Sequence, residues 1–175
     1  MIVLIGHSGS GKDTAIQAFQ EMGFKTIVSY TTRPPRDHEV EGMAYHFISE
    51  EEFLKKVDSG FFAENVEYRG WHYGIAKEDC LNDRVVIVEP KGLSQLRDIF
   101  GDNIKVIFLQ LSEGMRRERL HARGDDPEEI ERRIRTDREL FSNFDYDFVF
   151  TNIYNSPEEF QEAIKKHFDF LKGVD

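Results

Sequence analysis

The stretch IVLIGHSGSGKDT, residues 2–14, determines how the rest of the chain is read. Its first four residues, Ile2–Ile5, are wholly apolar, the pattern of a short strand buried on both faces. Glycines follow at 6, 9 and 11, and Thr14–Glu21 then carries Ala15, Ala18 and Phe19 at helical spacing. Strand, glycine-rich loop and helix, in that order, describe a phosphate-binding loop. The glycines let backbone N–H groups converge on phosphate oxygens, and the helix N-terminus adds partial positive charge. The candidate contacts are Gly6, Ser8, Gly9, Ser10, Gly11, Lys12, Asp13 and Thr14, with Lys12 reaching the terminal phosphates of a nucleoside triphosphate. GxxxxGK is met in full, but Asp13 stands where Ser or Thr is commoner, and Thr14 offers its hydroxyl one place later. Asp13 reads either as a Mg²⁺ ligand, direct or through water, or as a cap of the helix.

Working outward, three more buried strands are expected at Val85–Glu89, Ile104–Leu109 and Phe148–Thr151, each followed by a helical pattern. Strands alternating with helices predict an α/β fold in three layers around a parallel central sheet. Two segments interrupt the rhythm. In residues 30–78, Ser49–Glu52 is a capping box, and Phe61–Tyr68 and Trp71–Ile75 flank Arg69-Gly70 as a hairpin, which reads as an inserted α+β lobe. Residues 116–138 hold eight arginines, no lysine and seven acidic residues, and Gly124–Pro127 divides them into two helices, as a hinged lid requires. The remainder, 1–29, 79–115 and 139–175, forms the core of a single domain. Its tail helix opens at Ser156–Glu159 and carries Phe160, Ile164, Phe168 and Leu171 as a core-facing stripe.

At 175 residues and 39% hydrophobic, the chain buries one proper core. A net charge of −10 argues against nucleic-acid binding, so phosphate affinity must come from local clusters. Cys80 is the sole cysteine, which excludes an intrachain disulfide and suits a reducing compartment. Met1 runs straight into the apolar strand with no charged leader, and no apolar run approaches a membrane span, so a cytoplasmic protein with no membrane partner is expected, as monomer or homodimer. The histidines, His7, His38, His46, His72, His121 and His167, show no metal-ligand spacing, and His7 reads as filling space in the loop.

Downstream of the loop lies SYTTRPPRDHEVEGMAYHF, residues 29–47. The order Ser29, Thr31-Thr32-Arg33, Pro35-Arg36, Glu39, Gly42, Tyr45 and Phe47 resembles the nucleoside-monophosphate segment of guanylate kinases. The resemblance continues through Glu64, Tyr73-Gly74, Arg119, Arg123-Gly124 and Asn152, nearly the whole chain. It implies a P-loop kinase with a nucleoside-monophosphate lobe and a helical lid, and the reaction ATP + GMP → ADP + GDP with Mg²⁺, dGMP being a further substrate. Two arginine forks and two tyrosine hydroxyls suit a phosphate dianion. By resemblance Arg33, Arg36, Tyr45 and Tyr73 with Gly74 hold the GMP phosphate, and Glu39 orients the arginines. Glu64 accepts guanine N1–H and the 2-amino group, Ser29 donates to O6, and Glu89 serves the metal or the acceptor. Adenine lacks that donor pair and would leave a desolvated carboxylate unmatched.

Arg119, Arg123 and Arg133 match the lid arginines that join Lys12 in catalysis, with Arg135 a further candidate, whereas Arg116, Arg117, Arg132 and Arg138 read as helix-surface partners of neighbouring acids. Asn152 matches an adenine contact or else makes a turn. No general base is needed, because a phosphate oxygen is already nucleophilic. Ile75, Glu78 and Ile87 depart from the family pattern, which carries a hydroxyl residue, a threonine and an aspartate there. The rival readings are a related kinase acting on ribose 1,5-bisphosphate or another phosphorylated acceptor, and a non-catalytic protein-binding module.

Overall fold

A computed structural model describes residues 1–36, 39–68 and 70–172, so His38 and the turn residue Arg69 lie outside it. Its centre is β1 (Ile2–Gly6), buried along its whole length and flanked by parallel strands on both sides. The order across the sheet is β2 (Lys25–Thr26), β7 (Arg84–Ile87), β1, β8 (Lys105–Gln110), β9 (Phe148–Thr151). Side chains alternate through β1. Ile2 and Leu4 join the core beneath α1 (Lys12–Glu21) and α6 (Pro157–His167), with Phe19, Phe160 and Phe168. Val3 and Ile5 join the opposite core, with Ala63, Ile75, Leu93 and Leu96. A strand with both faces buried has no use for polar residues, which is why its sequence is uninterrupted.

Some expected boundaries move. Strand β7 ends at Ile87 rather than Glu89, because Pro90 opens α3 (Pro90–Phe100) and Glu89 becomes its N-cap. Helix α1 starts at Lys12, two residues ahead of its apolar spacing, since Gly11 turns into it at φ 97°. Asp13 therefore sits inside the first turn. The cap position belongs to Gly11 without a side-chain bond, so Asp13 is not the cap. The two-residue strands were invisible in the sequence, being too short to show an alternation.

The inserted segment forms its own four-stranded sheet, ordered β4 (His46–Phe47), β3 (Tyr30–Thr31), β6 (Trp71–Ala76), β5 (Phe62–Tyr68). Thr31 Oγ1 donates to His72 O at 2.9 Å and His72 N–H to Thr32 Oγ1 at 2.9 Å, so the paired threonines tie this sheet together. The capping box opens α2 (Glu50–Asp58), with Ser49 and Glu52 bonding reciprocally.

The arginine-rich segment forms α4 (Glu113–Ala122) and α5 (Pro127–Leu140), the latter capped by Asp126 on two N–H groups at 3.0 and 3.1 Å. Arg117, Arg132 and Arg138 make the surface pairs expected of them. Arg116 does not: it is 2% exposed and pairs with Asp137 of α5 at 2.8 Å. No helix among the described residues is long and apolar enough to cross a membrane.

Candidate active site

Two cavities open beside the sheet. The first, about 500 Å³, is walled by Ser8–Thr14, Arg119, Arg123, Arg133, Asn152, residues 154–157 and Phe160. Its floor is the glycine loop. Lys12 Nζ lies across that loop, donating to Gly6 O at 2.6 Å and His7 O at 3.1 Å. Burial lowers the Lys12 pKa, with Glu89 the strongest opposing charge. Gly11 has no room for a side chain, for a Cβ there would stand 2.6 Å from Asn152 Nδ2. Asp13 and Thr14 stand at the rim of this cavity, and Asp13 is exposed.

The arginines divide by environment. Arg123 donates two bonds to Asp125, at 2.9 and 2.5 Å, and Arg133 reaches the same carboxylate at 3.3 Å. The Arg123 bond first, then both guanidinium charges, lower the Asp125 pKa against a burial penalty. Arg119 is turned elsewhere, donating to Asn152 Oδ1 at 3.3 Å and Tyr154 O at 2.9 Å. Asn152 is buried, and its Nδ2 donates to Ser10 O at 2.9 Å, so both polar ends of its side chain are engaged inside the protein. Its location after β9 braces the loop. Arg135 lines a separate outer groove with Pro127, Glu128 and Arg132.

The second cavity, about 250 Å³, is lined by Ser29, Tyr45, Glu64, Tyr73, Gly74 and Glu89, with Ile75, Ile87, Val66 and Val88 as apolar wall and Tyr68 at its edge. Glu64 is 4% exposed and makes no hydrogen bond among the described residues. Burial, and then the charge of Glu89, raise its pKa to about 7. A register shift between Phe62 and Glu64 aims this carboxylate off the regular pleat. Gln95 of α3 pins the next residue, bonding Asn65 N–H at 3.0 Å and Asn65 O at 2.8 Å. The helix then passes so close that a Cβ on Gly92 would stand 2.3 Å from Glu64 Oε1. Glu89 lines this second cavity, its pKa raised by burial and pulled back by Lys12 of the first. Of the departures noted in the sequence, Ile75 and Ile87 line this cavity, whereas Glu78 lines neither.

At the margin of this second cavity, Arg33 Nη2 spans both oxygens of Glu39 at 2.7 and 2.9 Å, and Glu39 also accepts Arg36 N–H at 2.9 Å. The Arg33 bond and then the Arg36 N–H hold the Glu39 carboxyl down at about 2. Arg33 stacks over Tyr45 at 5.4 Å, and Tyr45 meets Tyr73 at 5.9 Å. Glu39 therefore grips Arg33 by its side chain and Arg36 by its backbone only, leaving the Arg36 side chain exposed.

Two residues of the site had no reading in the sequence. Asp125 gathers two arginines, and Asp137 accepts from Ser8 N–H of the loop at 2.8 Å. Asp137 follows Ile130 and Ile134 on one helical stripe, and an acid on a buried stripe was the available signal. His7 packs its ring 4.5 Å from Phe141 and 5.4 Å from Phe108, and burial lowers its pKa to about 4.

Comparison with known proteins finds similar chains among guanylate kinases. A family profile described as guanylate kinase matches residues 1–172. The guanylate kinase of Paraburkholderia xenovorans is 33% identical over 77% of this chain and 64% of its own length. That of a Nostoc species is 33% identical over 94% of this chain and 85% of its own length. The crystal structure of guanylate kinase from Anaplasma phagocytophilum superposes with a TM-score of 0.70, covering 97% of this chain and 84% of that one, at 23% identity.

Proposed function

The chain belongs to the guanylate kinase family, and we propose that its residues divide the ATP-dependent phosphorylation of GMP to GDP as follows. The glycine loop and Lys12 hold the triphosphate in the larger cavity, and the inserted segment 30–78 holds GMP in the smaller one. Glu64 carries this reading: a buried carboxyl with no hydrogen-bond partner among the described residues is costly when ionised unless a ligand supplies two donors, and guanine presents N1–H and the 2-amino group side by side. Ser29 completes the base contact at O6. Arg33, Arg36, Tyr45 and Tyr73 take the acceptor phosphate, with Glu39 preorganising Arg33. The helix pair 116–138 acts as the lid, and its closure excludes water that would otherwise hydrolyse ATP.

A Mg²⁺ here would be carried mainly by phosphate oxygens and water, with Asp13 and Thr14, which line the donor cavity, as its protein-side ligands. When bound, the ion neutralises charge on the phosphates.

The deciding assay compares ADP release from Mg·ATP with GMP, dGMP, AMP and ribose 1,5-bisphosphate. GMP is expected to exceed AMP by at least about a hundredfold in kcat/KM, and a preference for the bisphosphate, or no turnover at all, overturns the reading. Gly92→Ala is the companion variant. Its methyl displaces Glu64, so the KM for GMP rises by about tenfold to a hundredfold while that for ATP holds.

A pH dependence follows from Glu64. Its raised pKa keeps it protonated to about pH 7 in the free enzyme, where it accepts only one of the two guanine donors. kcat/KM for GMP therefore climbs between pH 6 and 8 by about tenfold and then levels. The sign for stability is opposite. The folded state holds this proton above the unfolded carboxyl's 4.5, so stability is complete below that value and declines as pH rises towards about 7. Above pH 7 the ionised, buried group costs on the order of 3 kcal/mol. Glu64→Gln should flatten the ligand-free melting temperature across this range, and an unchanged profile would refute the assignment.

A further inference from the structure

The donor loop is held by a contact that phosphate binding does not explain. Asp137, near the end of α5, is 6% exposed, and its Oδ2 accepts both Ser8 N–H and Arg116 Nη1 at 2.8 Å. Its Oδ1 lies 3.4 Å from Ser8 Oγ. Helix α4 reaches the same half of the loop by backbone: a Cβ on Gly9 would stand 3.3 Å from Arg116 O and 3.3 Å from Leu120 Cγ. The His7 ring rests on Phe141, the residue that ends α5. Residues 7–9 of the loop are thus seated on the two arginine-bearing helices. Ser10 is held from the core side instead, by Asn152 after β9.

A carboxylate set against a loop built to receive anions is an unexpected choice for a mere support. A neutral amide would accept the Ser8 N–H without repelling phosphate. The charge is tolerated because Arg116, itself buried, neutralises it. In return, one oxygen ties the loop, α4 and α5 together at a single point. Those helices also present Arg119 and Arg133, and Arg123 caps the end of α4.

We propose that Asp137 is a positioning residue for the donor: it fixes residues 7–9 of the phosphate loop to the lid helices, so that the triphosphate binds in register with the lid arginines. This rests on the donor reading above but not on the identity of the acceptor.

The test is calorimetric binding of Mg·ATP without acceptor, alongside melting temperature and the KM for GMP, for Asp137→Ala and for Asp137→Ala combined with Arg116→Met. The single variant leaves a guanidinium buried without its partner and loses stability. The double variant removes both charges and regains it. In both, the Kd for Mg·ATP is expected to rise about tenfold, with the KM for GMP within about twofold. Persistence of weak ATP binding in the double variant with a restored melting temperature supports positioning. Recovery of ATP affinity together with stability overturns it, as does a parallel rise in the KM for GMP. Should the double variant not fold, Asp137→Asn decides. It keeps an acceptor for Ser8 N–H, so ATP affinity within about threefold of wild type is the supporting result, and a tenfold loss the contrary one. If the wild type binds Mg·ATP but does not phosphorylate GMP, the acceptor assignment fails and this inference stands.

Discussion

Lys12→Ala is expected to lower kcat/KM by about a thousandfold or more, equivalent to ~4 kcal/mol of transition-state stabilisation, with the protein still folded. The ammonium now rests on Gly6 O and His7 O, two carbonyls of the loop it spans. That site costs the charge solvation, which is why burial lowers its pKa. It makes no ion pair within 4 Å among the described residues, and the buried Glu89, whose pKa it pulls down, can take up a proton once the ammonium is gone. Stability should therefore change little, and the whole deficit should fall on the reaction, where charge spreads over the transferring oxygens. Lys12→Arg is expected to rescue poorly. A planar fork does not replace a compact point charge in a loop whose neighbouring Gly11 already abuts Asn152. Steady-state kinetics with Mg·ATP and GMP, and a thermal melt of each variant, check both halves. A variant retaining more than a tenth of wild-type kcat/KM would remove Lys12 from the mechanism.

The parts of this site that could be read in the sequence are those whose chemistry is local. The glycine loop announces itself because a strand, three glycines and a lysine must be contiguous for backbone N–H groups to converge. The order from Thr31 to Tyr45 is similarly compact, and the central parallel sheet follows from continuous apolar runs. What escaped is what depends on long-range approach. Gly92 has meaning only because α3 crosses the β5 bulge against Glu64. Arg116 and Arg117 are adjacent in an equally charged helix, yet one is buried on Asp137 and the other sits at the surface with Glu131. No spacing distinguishes them; only the side of α4 that meets the loop does. Asn152 carried two readings, and its hydrogen bonds to Ser10 and Arg119 disclose a bracing contact that neither reading contained.

Arg123→Met and Arg133→Met should each reduce kcat by about a thousandfold, with KM for either nucleotide altered less than about threefold. The ligand-free arrangement gives the reason. Both guanidiniums converge on Asp125, whose carboxylate presents oxygens much as a phosphoryl group would. On the proposed division of roles, these two cations lining the donor cavity exchange that carboxylate for the equatorial oxygens of the transferring group, where charge accumulates. An interaction formed only at that stage moves kcat and leaves ground-state binding largely alone. Little stability is at stake for Arg123, since its side chain is 56% exposed in the pair with Asp125. Arg119 belongs to a different class. Its guanidinium is already committed to Asn152 and Tyr154, so Arg119→Met should raise the KM for ATP more than it lowers kcat. The internal control is Arg132→Met, one residue from Arg133 but paired with Glu129 on the outer surface, which should stay within about twofold of wild type. If Arg123→Met and Arg133→Met fall no further than this control, the helix pair closes over the donor without supplying charge to the reaction. Water exclusion would then be its whole contribution.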